Sequence, residues 1–202
     1  MTIKTVSYDS VILYFQQEIS ENVLDEVQKT YLCLKELKGI INLTPSYCSI
    51  LVQYDILIYN EKTLKNIIAQ TALGLTSADI KPSKLIKIPT NYNKNLDLER
   101  VAQHNKLSIK EVIKLHTQTT YRVYAIGFML GFAYLARVNE QIRTPRLSSP
   151  RKKVPKGSVA LADEQTAIYP QDSAGGWNII GVTAFNGFRE FCVGDRVKFI
   201  KI

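Results

Sequence analysis

Apolar positions in the first half of the chain alternate between two periods. Residues 10–15 form a short β-prone run and read as a strand. Val23, Leu24, Val27, Tyr31 and Leu34 then recur at helical spacing behind Asn22, and Gly39 closes that stretch. Residues 40–43 predict a strand, Pro45 and Ser46 a turn, and residues 49–55 a strand with Ile50, Val52 and Tyr54 on one face. Leu64, Ile67, Ile68 and Leu73 predict a second helix that enters at Asn60 and ends at Gly74. Residues 84–88 predict another short strand. The order is β-α-β-β-α-β, the split βαβ or ferredoxin-like arrangement.

Residues 89–94 read as a linker, followed by two short helical segments. The second opens on Ser108 and Glu111, a capping box in which hydroxyl and carboxylate take up free N–H groups. Beyond Thr119 the pattern changes. Seven of the ten glycines lie between Gly127 and Gly187, and Pro145, Pro150 and Pro155 forbid a long helix. Short strands are expected at residues 158–161, 166–169, 177–182, 188–192 and 196–202. That spacing predicts a β-barrel or sandwich. The fold class is therefore α+β, with a ferredoxin-like domain over residues 1–89 and a mainly β domain with leading helices over residues 90–202.

Composition narrows the function classes. The 202 residues are 46% hydrophobic and 22% charged, which excludes a disordered chain, a collagen-like fibre and a disulfide miniprotein. Lys+Arg is 26 and Asp+Glu is 18, a surplus of +8 that favours anionic partners without choosing among them. Cys33, Cys48 and Cys192 lack CxxC spacing and suit reduced thiols in the cytoplasm. Only His104 and His116 could join them, so no metal site is expected. The start of the chain lacks the pattern of a signal peptide. The longest uncharged apolar stretch, residues 123–136, is fourteen residues, short of the ~20 needed to span a bilayer. Neither a phosphate loop nor a nucleophile elbow is present in the sequence.

Residues 97–116 superficially resemble a helix-turn-helix, but Lys110 and Lys114 suit phosphates better than bases. Nucleic acid is therefore a weak reading beside two packed helices. The basic cluster of residues 137–156 holds seven cations, most of them suited to a solvated loop. Arg146 and Arg151 differ, because each follows a proline that aims the guanidinium with little entropy to lose. Gly175 and Gly176 allow close backbone approach, so Trp177 and Tyr169 are candidate pocket walls. Gln165 offers an amide, and His116 a proton carrier near neutral pH.

Together these segments carry a resemblance. Residues 127–135 (GFMLGFAYL) resemble the GFxPGFxYL motif of the family of 5-oxoprolinase B subunits, also called allophanate hydrolase subunit 1. That family includes a bacterial inhibitor of a sporulation histidine kinase. Thr144-Pro145-Arg146, Pro150-Arg151 and the run VPKGSV at residues 154–159 resemble its TPR, PR and VPxGSV motifs. QTAIYP at residues 165–170 and GGWNIIG at residues 175–181 resemble QTGIYP and GGWxxIG. Leu115-His116 and residues 121–124 match the preceding stretch, and residues 9–13 and 47–55 match more loosely. Leu130, Ala133 and Ala174 stand where the family usually has proline, and Ala167 where it has glycine.

The resemblance implies a cyclophilin-like barrel for the second domain. It implies a component that works with a homologous C subunit and a third subunit, using ATP to open 5-oxoproline to glutamate. It also implies, as an alternative, an inhibitor that binds a sensor histidine kinase. The expected catalytic residues are His116, Arg146 and Gln165, and the expected substrate-binding residues Tyr169, Trp177 and Arg151. One cleft of the second domain should gather Arg146, Gln165 and Tyr169, with His116 nearby.

Overall fold

The computed structural model describes residues 1–73 and 83–202. The chain divides into two compact units, Met1–Pro82 and Ser83–Ile202. The first contains β1 (Thr2–Ser7), β2 (Ser10–Tyr14), α1 (Glu21–Lys35), β3 (Ile40–Ser46), β4 (Ser49–Tyr54) and α2 (Glu61–Leu73). Its antiparallel sheet runs β1-β2-β4-β3. Val11, Leu13, Ile50 and Val52 alternate inward from β2 and β4. They meet Val23, Val27 and Leu34 of α1 and Leu64 and Ile68 of α2 in one apolar core. The cap of α1 is Ser20 rather than Asn22, since the Ser20 hydroxyl accepts the Val23 N–H. Gly74, the expected end of the second helix, lies outside the described residues.

This unit departs from the split βαβ order in two ways. An additional strand, β1, pairs with β2. The strand expected at residues 84–88 belongs to the other unit, as β5 (Leu85–Thr90). There it runs parallel to β13 (Arg196–Lys201), and its buried Ile86 and Ile88 join Val197 and Phe199 of β13 in the core of that unit. The described residues of the first unit thus read ββαββα, and the division falls ahead of β5 rather than after residue 89. Pro45 lies in β3, an edge strand, where its missing N–H costs no ladder bond.

The second unit continues with α3 (Leu98–His104), α4 (Ile109–Gln118), β6 (Tyr121–Ile126), β7 (Ala133–Ala136), β8 (Arg151–Val154), β9 (Ser158–Ala162), β10 (Gln165–Ile168), β11 (Ser173–Gly175) and β12 (Asn178–Val182). Seven strands form one sheet in the order β12-β9-β10-β7-β6-β13-β5. Its ends meet where Asn91 and Val182 exchange N–H···O bonds of 2.8 and 3.0 Å. The result is a nearly closed barrel, consistent with the cyclophilin-like expectation. Asn91 is therefore part of the barrel seam, not of a linker. β8 and β11 pair as a separate ribbon. Residues 188–192 form a 3₁₀ turn, Phe188–Glu190, instead of a strand. Phe188 and Phe191 are both buried, and a helical turn aims such a three-residue spacing to one side. The capping box of α4 is present, with Glu111 Oε2 accepting the Ser108 N–H at 2.7 Å.

Candidate functional site

Strand β10 divides its side chains between the barrel interior and an outer face. Thr166 and Ile168 point inward, whereas Ala167 and the following Tyr169 belong to an outer cluster. Ala167 pairs with Ala160 of β9, so the outer sheet surface is built of small residues there. That leaves room for four aromatic rings. Phe132 stands edge-on to Tyr134, Tyr169 and Trp177 at centroid distances of 4.9, 5.4 and 5.7 Å. Edge-to-face packing of this kind fixes ring positions as well as burying area.

Beside these rings lies a cleft of about 290 Å³. Phe128, Phe132, Tyr134, Tyr169 and Trp177 supply its aromatic lining, and Arg146 its charge. The Arg146 guanidinium sits 5.7 Å from the Trp177 ring centroid, a cation–π arrangement. Among the described residues no carboxylate pairs with it. Its backbone neighbours are held firmly. The Leu147 N–H donates to the Gly176 carbonyl at 2.7 Å, and Asn178 Nδ2 donates to the Pro145 carbonyl at 3.1 Å. Gly175 is required for contact: a Cβ there would overlap the Tyr169 hydroxyl and stand 2.8 Å from its Cζ. Burial raises the Tyr169 and Tyr134 hydroxyls above the ordinary phenol value, while the Arg146 charge pulls both back. Both phenols are neutral donors at pH 7. The cleft can hold a small anion through Arg146 while stacking its apolar body on the rings.

His116 occupies a different environment. It is fully buried inside the barrel, 4.5 Å from the Phe199 ring centroid. The Thr166 hydroxyl donates to the Ala160 carbonyl at 2.8 Å, so its oxygen accepts from His116 Nε2 at 3.0 Å. Nδ1 is left to accept the Tyr92 hydroxyl at 2.7 Å. Burial lowers the ring pKa from 6.5 to about 3.

The family described as "Carboxyltransferase domain, subdomain C and D" matches residues 1–192. The chain belongs to that family. Within it, the chain is 32% identical to the 5-oxoprolinase B subunit of Bacillus subtilis (strain 168), over 99% of this chain and 92% of that protein. It is 41% identical to the 5-oxoprolinase B subunit of Escherichia coli O157:H7, over 58% of each. The crystal structure of TTHA0988 matches at TM-score 0.83 with 31% identity, covering 96% of this chain and 40% of that one. Kluyveromyces lactis urea carboxylase, at 14% identity and TM-score 0.74, covers 99% of this chain and 21% of that one, and shares the fold. The chain thus spans well under half the length of those two solved structures.

The carboxyltransferase-family motifs distribute unevenly over the site. Arg146, Tyr169 and Trp177 come together on the cleft. Gln165 lies at the far end of β10, opposite Ala136 and Ala162, and does not line it. His116 is enclosed in the interior, without the solvent or ligand access a proton carrier needs. Arg151 lies outside the cleft lining and pairs with Asp97 at 2.6 Å. Sequence reading missed Phe132 and Tyr134 as wall residues, although both stand in the glycine-rich motif. It also missed Asp97 and Arg100, which lie outside the motifs, and Asn178, which stands at a variable position of the GGWxxIG motif.

Proposed function

We propose that the chain is the B subunit of an ATP-dependent 5-oxoprolinase complex, working with a homologous C subunit and a third subunit to open 5-oxoproline to glutamate. The observation that carries this reading is Arg146, held over Trp177 at an aromatic cleft with no carboxylate partner among the described residues. A small lactam bearing one carboxylate matches that pairing of fixed cation and flat wall. The full-length relationship to the 5-oxoprolinase B subunit of Bacillus subtilis supports it. An unstrained amide resists water at neutral pH. In the complex, ATP would transfer its γ-phosphoryl group to the lactam oxygen. Water would then attack the activated carbon, and the ring C–N bond would open with the nitrogen leaving as the protonated amine to give an acyl phosphate. A second water would cleave that acyl phosphate to glutamate and phosphate. ATP would be held by another subunit. Arg146 would contribute substrate binding and charge stabilisation as the phosphoryl group leaves. Tyr169 and Trp177 would orient the ring. A cytoplasmic setting fits ATP use, and no helix among the described residues is long and apolar enough to cross a membrane.

The test is reconstitution with the neighbouring subunits, followed by measurement of glutamate release from 5-oxoproline. ATP-dependent release is expected. Folded subunits that form a complex without such activity would overturn the reading.

A further inference from the structure

Asp97 stands at the start of α3, where an aspartate ordinarily accepts the first free N–H groups of a helix. It makes no such side-chain bond. Its side chain is 6% exposed, and both oxygens are committed elsewhere. Oδ1 accepts from Arg151 Nη2 at 2.6 Å, and Oδ2 accepts from the Ile179 N–H at 2.7 Å. These two partners belong to the two chain segments that carry Arg146 and Trp177. Arg151 closes the segment that starts at Arg146, and Ile179 is the second residue of β12, which begins directly after Trp177. Arg100, on the same helix, repeats the pattern. Its Nη1 donates to the Pro145 carbonyl at 3.3 Å and to Asn178 Oδ1. Asp97 at the cap of this short helix and Arg100 within it therefore each bind both the segment that carries Arg146 and the segment that carries Trp177.

We propose that Asp97 is a positioning residue of the cleft: by clamping Arg151 to β12 it holds Arg146 over the Trp177 ring. This rests on the cleft being the ligand site proposed above. Asp97 does not line the cleft, so it acts through Arg151 and the segment that Arg151 ends. A buried carboxylate that spends both oxygens on fixed donors suits such a part, because truncating it leaves those donors unpaired in a low-dielectric site.

Trp177 is the only tryptophan, so its indole N–H gives a single NMR cross-peak that reports on the cleft. Asp97→Asn should move that peak toward its position in Arg146→Ala. The double variant should add little beyond Arg146→Ala alone, because coupled residues are non-additive. Lys153→Ala, on the same strand as Arg151, removes the exposed 2.9 Å pair with Asp172 and should leave the peak in place. If Asp97→Asn folds poorly, Arg151→Lys is used instead. It keeps the charge, loses the planar fork, and should shift the peak in the same direction. An indole peak that stays at its wild-type position in both variants would overturn the proposal and leave Asp97 a brace of the fold. Full additivity with Arg146→Ala would also overturn it. These readouts use the chain alone, so they stand apart from the success of the complex assay. In an active complex, Asp97→Asn should raise KM for 5-oxoproline by ~10-fold with a smaller change in kcat.

Discussion

The two sides of strand β10 treat polar atoms in opposite ways. Inside the barrel, Thr166 meets a histidine whose two nitrogens both have partners at hydrogen-bond distance. Outside, Tyr169 borders a cleft where the Arg146 cation rests against a ring and is open to solvent. A satisfied, enclosed polar group contributes specificity and stability to a fold. A fixed charge at an open cleft is instead available to a ligand. The contrast separates the motif-rich residues, with His116 enclosed in the barrel and Arg146 open on the cleft.

That division can be broken first by pH. His116 is neutral in the fold, with its pKa lowered from 6.5 to about 3 by burial. The unfolded chain takes up that proton near pH 6.5, whereas the folded chain does not until pH approaches 3. Its contribution to stability is therefore complete above pH 6.5 and is lost as pH falls. The expected slope is about 1 kcal/mol per pH unit, a few kcal/mol in all. Denaturant titrations between pH 7 and 4 should show this slope in the wild type and a flatter one in His116→Gln. Equal slopes would remove His116 from the interior role.

A smaller effect is expected at the outer wall. Gly175→Ala places a methyl against the Tyr169 ring, which is itself packed on Phe132. Overpacking of this kind costs about 1–3 kcal/mol. Calorimetry should show the loss, and KM for 5-oxoproline in the complex should rise by ~10-fold as Tyr169 is displaced. An unchanged KM would show that Tyr169 does not shape the ligand site.

Sequence patterning reached some of these features and not others, for physical reasons. The alternation of Ile50, Val52 and Tyr54 and the Ser108–Glu111 box are local signals, and both elements form as expected. β1 is polar and largely exposed along an edge, so it leaves no apolar alternation to read. Residues 84–88 are recognisable as a strand, but their partner β13 lies at the far end of the chain, beyond any local period. The same limit governs the site. Arg146, Tyr169 and Trp177 sit in dense motifs and do converge. The proline before Arg151 marks an aimed guanidinium correctly, yet its target is Asp97, far away in sequence, and not the cleft. For His116, its place on the apolar side of α4 was visible, but not that Tyr92 and Thr166 enclose it. Gln165 and Tyr169 share the outer side of β10 by strand alternation, but four residues at ~3.3 Å each separate them along it.

The most direct test of the division of labour is kcat/KM for 5-oxoproline in the reconstituted complex carrying Arg146→Ala. The side chain is exposed and has no carboxylate partner among the described residues, so the melting temperature should stay within a degree or two of the wild type. Activity should fall by ~10²-fold or more, the loss expected when a fixed cation no longer meets the substrate carboxylate or the departing phosphoryl charge. A near-normal kcat/KM in a folded complex would contradict the account and leave Arg146 an ordinary surface residue.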